Sequence, residues 1–107
     1  MELCSLLGVQ PHVPAADDMV AVSAGALQAE KVEGIRYPAS KEMTGWYLMP
    51  AAKNTHDEFT LIHAIHLFET RSDIARFLAL PPGWSFDTSD SGHVWFDPLV
   101  AQDHEAI

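Results

Sequence analysis

Short apolar runs alternate with breaker-rich connections along this chain. Met19-Val20-Ala21-Val22 is apolar and rich in β-branched residues, which predicts a buried strand. Ser23 then offers a hydroxyl that would cap a short helix over Ala24-Gly25-Ala26-Leu27-Gln28-Ala29, with Gly25 weakening it. Val32 to Tyr37 alternates between two faces and reads as a strand ended by Pro38. Ala39 to Thr44 is a polar connection. Gly45-Trp46-Tyr47-Leu48-Met49 predicts the next strand, stopped by Pro50, and residues 51–58 a loop. Phe59-Thr60-Leu61-Ile62-His63-Ala64-Ile65 is the longest β-like run and predicts a central strand.

Beyond it, Thr70 and Asp73 have the spacing of a capping box. Ile74, Phe77 and Leu78 fall at i, i+3 and i+4, one apolar stripe of a helix that must end before Pro81. Pro81-Pro82-Gly83 forms a stiff corner in which Gly83 is free to take positive φ. Trp84-Ser85-Phe86 and His93-Val94-Trp95-Phe96 read as strands of a hairpin across Asp87 to Gly92. Residues 1–18, with Pro11 and Pro14, predict an irregular arm anchored at Leu6-Leu7. Residues 19–98 form a single domain, and 99–107 an acidic tail. The order β-α-β-β-β-α-β-β predicts an α+β fold. Its sheet is antiparallel-rich, with about five or six strands and two short helices packed on one face.

Composition sharpens this picture. At 107 residues with 48% apolar content, the chain suits one domain with a real core. Cys4 is the single cysteine, so no intrachain disulfide forms, which fits a reducing compartment. The start Met-Glu-Leu-Cys-Ser-Leu-Leu-Gly has no basic n-region or long apolar h-region, and no run approaches the ~18 apolar residues of a membrane span. The expectation is a soluble, cytoplasmic protein. Six Lys and Arg face fifteen Asp and Glu, a net charge of −9. Nucleic acid and anionic membranes repel such a chain, whereas a basic protein partner is attracted to it.

Candidate chemistry is sparse. His63, His66 and His93 could serve a small metal-dependent enzyme or ligand-binding domain if they converged. On a strand, however, an offset of three points His63 and His66 to opposite faces. Cys4 has no recognisable catalytic setting, and no serine stands in a Gly-x-Ser-x-Gly elbow. There is no Gly-rich phosphate loop and no basic patch. Trp46, Trp84 and Trp95 read first as core builders, and second as a recognition surface.

Several segments together resemble a bacterial family. They are Val22-Ser23 with Ala26-Leu27 and Val32 to Tyr37, then Thr44-Gly45-Trp46-Tyr47. His66-Leu67, Ile74 and Phe77-Leu78 lead into Leu80-Pro81-Pro82-Gly83-Trp84-Ser85-Phe86, and Val94-Trp95-Phe96-Asp97 closes the pattern. The chain resembles the immunity protein 33-like group of polymorphic toxin systems, once only a domain of unknown function. That resemblance implies a non-catalytic protein that binds and occludes a cognate toxin. It carries over no catalytic, cofactor or metal residue.

Together these readings give an expected partner, a cognate protein toxin such as a basic nuclease, with no nucleic acid and no membrane. Charge and loop position nominate Asp57, Glu58, Asp87, Asp90 and Asp97 as partner-binding residues. A free sheet edge would also permit a homodimer.

Overall fold

A computed structural model describes residues 2–23, 25–38, 43–50, 59–88 and 92–101. Its strands are β1 (Met19–Ser23), β2 (Val32–Arg36), β3 (Met43–Pro50), β4 (Phe59–His63), β5 (Trp84–Asp87) and β6 (His93–Phe96). Its α-helices are α1 (Glu2–Leu7), α2 (Ala64–Thr70), α3 (Ser72–Ala75) and α4 (Pro98–Ala101), and a 3-10 turn spans Ala26–Gln28. The six strands form one sheet in the order β4-β1-β3-β2-β5-β6. Only the β1–β3 pairing is parallel; the other four are antiparallel. The α+β architecture expected from the sequence therefore holds, with four short α-helices among the described residues in place of two.

One face of the sheet carries the core. Val20 and Val22 of β1, Trp46 and Leu48 of β3, Val32 of β2 and Phe86 of β5 are buried there. They meet Cys4 of α1, Leu67 of α2, Ile74 of α3, and Phe77, Leu78 and Leu80 beyond it. The stripe Ile74, Phe77, Leu78 is buried as its spacing predicts. Phe77 stacks on Phe86 at 4.5 Å, and Trp46 meets the Phe86 ring edge-on at 5.3 Å. Burying side chains of this size removes on the order of 2 kcal/mol of apolar exposure each.

Several expectations are corrected. Phe59–His63 is an edge strand and not the central one, and its run ends two residues early. Ala64 and Ile65 instead open α2, because their N–H groups donate to the Asp18 and Ala16 carbonyls at 2.8 and 3.0 Å. A neighbouring turn thus satisfies the orphan donors of the helix start, a role no local signal announced. Ser23 ends β1 and caps no helix; Gly25, at φ 82, precedes the 3-10 turn without a side-chain cap. The Thr70–Asp73 box does not form. The Thr70 hydroxyl donates to the His66 carbonyl at 2.6 Å, and Asp73 pairs with Arg71 at 2.8 Å. The arm is partly helical, and of its expected anchor Leu7 packs against the core while Leu6 is 78% exposed; Cys4 at 1% exposure is the deeper anchor.

The corner behaves as expected. Gly83 takes φ 98, and a Cβ there would lie 2.7 Å from the Ala101 Cβ. Its N–H donates to the Arg36 carbonyl and its own carbonyl accepts from Asp97 N–H. This one residue ties β2 to the end of β6. The predicted hairpin is present as the β5–β6 pair, while residues 89–91 lie outside the described set.

Candidate functional site

All the core contacts above lie on one side of the sheet. The opposite side presents alternate residues of every strand. Register pairs Leu61 with Ala21, Ala21 with Tyr47, Tyr47 with Ile35, Ile35 with Ser85 and Ser85 with Trp95. These six residues form one row across all six strands on the face turned away from α1, α2 and α3, open in the sense that these core helices do not cover it. Ala21 and Ser85 are small and buried beneath their neighbours; Leu61 is 50% and Trp95 40% exposed. The row therefore has shallow dips between large apolar side chains.

A second row runs beside it. Phe59 stands opposite Ser23, Met49 opposite Glu33, Glu33 opposite Asp87, and Asp87 opposite His93. Phe59 packs edge-on against Tyr47 at 5.3 Å, and Tyr47 against Tyr37 at 5.4 Å. The open face is thus polarised. Its β4–β1–β3 side is aromatic and apolar, and its β2–β5 side brings two carboxylates together. Like charges directly opposite across a ladder repel, and Glu33 stands directly opposite Asp87. At the other side of the face, the Ser23 hydroxyl on β1 is buried and has no hydrogen-bond partner among the described residues.

The acids nominated by sequence are distributed unevenly. Asp87 lies in the second row, half-buried. Asp97, also half-buried, uses its carboxylate to accept the Leu99 N–H at 3.0 Å at the start of α4. Asp57, Glu58 and Asp90 lie outside the described residues. Sequence reasoning passed over Glu33, Ile35, Tyr47, Leu61 and the outward aim of Trp95. Their signal was there: strands apolar on both alternating faces, with too few helices to cover both. Of the tryptophans, Trp46 is fully buried and Trp84 packs against the core, but Trp95 is not a core residue.

The histidines do not converge. His63 and His66 have ring centroids 6.2 Å apart at the β4 edge. His93 sits on β6 at the other edge, five strand spacings away, or about 24 Å. No group of three or more His, Cys, Asp or Glu gathers for a metal among the described residues. Among them, too, no helix is long and apolar enough to cross a membrane.

The cation of the core lies on the other side. Arg36 is 5% exposed and donates to the carbonyls of Thr44, His12, Leu78 and Leu80 at 2.8–3.1 Å. Burial lowers its pKa to about 10, partly offset by the Asp18 carboxylate. It remains a cation at neutral pH and holds the scaffold beneath the open face.

Comparison with known proteins adds one positive finding. The model of the Imm33-like domain family matches residues 1–97. No curated protein and no solved structure matches the chain.

Proposed function

The chain belongs to the Imm33-like domain family, and from that premise we propose that it is an immunity protein that neutralises a cognate toxin by binding and occluding it, without chemistry of its own. The observation that carries this reading is the polarised open face. An aromatic and apolar half supplies the anchors of a protein interface, and the paired carboxylates Glu33 and Asp87 supply a seat for cations. The net charge of −9 attracts a basic partner to the protein as a whole. A nuclease toxin fits this chemistry, since its active cleft must attract phosphate. On this reading the protein acts in the cytoplasm of the cell that makes the toxin. Asp57, Glu58, Asp87, Asp90 and Asp97 are the acids nominated for this contact, and among the described residues the register sets Asp87 in the open face.

The test is binding to a candidate toxin domain from the genome that encodes this chain, followed by stopped-flow association against salt. Association should slow steeply between low and physiological ionic strength. An unchanged rate would remove the steering role. A Glu33→Lys, Asp87→Lys variant that binds as tightly as the parent would remove the face.

A further inference from the structure

The two edges of the sheet are not alike. At β4, Ala64 N–H donates to the Asp18 carbonyl, in line with the β1–β4 register that pairs Met19 with His63. Backbone groups of an antiparallel strand alternate in direction. Thr60 and Ile62 therefore aim theirs at β1, while Phe59, Leu61 and His63 aim their N–H groups outward, with no partner strand among the described residues. At β6, Asp97 N–H donates inward to Gly83, so only Val94 and Phe96 aim outward before α4 begins at Pro98.

Edge strands are ordinarily blunted by lysine, proline, inward charge or a bulge. Phe59-Thr60-Leu61-Ile62-His63 has no lysine, proline or carboxylate, and its pairing with β1 runs unbroken over all five residues.

The geometry points to a dimer of this chain formed by antiparallel pairing of two β4 edges about a two-fold axis at Leu61. Only residues 59, 61 and 63 offer outward groups, so the pairing that uses all three sets Leu61 opposite Leu61 of the second copy. Phe59 then lies opposite His63. Leu61 exchanges two hydrogen bonds across the axis, and each His63 N–H donates to the Phe59 carbonyl of the other copy. The side chains follow, because Phe59, Leu61 and His63 share the open face while Thr60 and Ile62 share the other. A Leu61–Leu61 contact flanked by two Phe59 rings closes over the axis. The two open faces join into one twelve-stranded surface. Five paired residues make a small contact, so the dimer is reversible and not obligate. Each copy carries −9, so the copies repel at long range and the dimer tightens as salt rises. Toxin association by charge weakens under the same change. The dimer does not depend on the immunity reading, and the two fail separately.

Sedimentation equilibrium of the purified full chain tests it, at protein concentrations up to about 1 mM and at low and high salt. The expected result is a mass rising from 11.8 kDa toward twice that value, more readily at high salt. Leu61→Pro removes an outward N–H and leaves the β1 ladder intact, so it should raise the dissociation constant by about tenfold or more. A single-chain mass throughout, or a dimer indifferent to Leu61→Pro, overturns the proposal. Should that variant lose its near-ultraviolet dichroism, Leu61→Cys replaces it. The paired positions then have Cα atoms about 5.5 Å apart, within disulfide range. Mild oxidation should link Leu61→Cys chains and leave Thr60→Cys chains unlinked; equal linking of both overturns the proposal.

Discussion

Arg36 and Trp46 meet at one oxygen. The Arg36 guanidinium donates to the Leu78 carbonyl at 3.1 Å, and the Trp46 indole N–H donates to the same carbonyl at 3.0 Å. The guanidinium carbon also lies 5.6 Å from the Trp46 ring centroid. Leu78 falls where the chain leaves α3 in tight turns toward Pro81, so its carbonyl has no helical partner. Two side chains from adjacent strands fill that role.

Replacing Arg36 by leucine removes the guanidinium donor from the carbonyls of His12, Leu80 and Thr44 in or near the core, and leaves the Leu78 carbonyl to Trp46 alone. Each lost partner of a buried polar group costs about 1–3 kcal/mol. Arg36→Leu should therefore lower the unfolding free energy by several kcal/mol in urea titration. Arg36→Lys should be only partly better, because an ammonium cannot span four acceptors with a planar fork.

Gly45 takes φ 92, and a Cβ there would run into the Tyr37 carbonyl oxygen. It sits where the β1–β3 register slips between Met19–Met43 and Ala21–Tyr47. Gly45→Ala should cost about 2 kcal/mol or more in thermal or urea unfolding, from strain plus the displaced carbonyl.

The Arg71–Asp73 pair gives a pH dependence with a definite sign. The hydrogen bond from Arg71 lowers the Asp73 pKa below its ordinary 3.8, with the guanidinium charge adding to the effect against a smaller opposing cost of burial. A carboxyl with a depressed folded pKa stabilises the fold above its unfolded pKa and loses that contribution as pH falls through the folded one. Asp73 is 51% exposed, so Asp73→Asn should cost less than about 1 kcal/mol at neutral pH. The difference from the parent should vanish as pH drops below that range. Arg71 also donates to the Leu27 and Ala29 carbonyls, so Arg71→Ala should cost more than Asp73→Asn.

Cys4 is 1% exposed, with its thiol 3.5 Å from the Ala79 carbonyl. Thiol labelling of the native protein should be slow and governed by local opening of α1. Labelling at the rate of a free thiol would show that α1 does not dock in solution.

Trp95 stands 40% exposed at the end of the open row. Trp95→Ala should reduce toxin affinity by more than about tenfold while changing unfolding free energy little. Titration calorimetry alongside urea unfolding separates the two.

Much of this molecule follows from local pattern. A β-branched apolar run marks β1, and Pro38 and Pro50 mark where β2 and β3 end. The i, i+3, i+4 stripe marks Ile74, Phe77 and Leu78 as core. Two prolines and Gly83 mark the corner. These are short-range effects, and each is written within a few residues. The edge position of β4, the helix that begins at Ala64, the four acceptors of Arg36 and the outward face of Trp95 are not. Each depends on which strand lies beside which, and on carbonyls brought from residues 12, 16, 18, 78 and 80. Strand order is chosen by the packing of the whole sheet against its helices, and no local stretch of sequence carries that information.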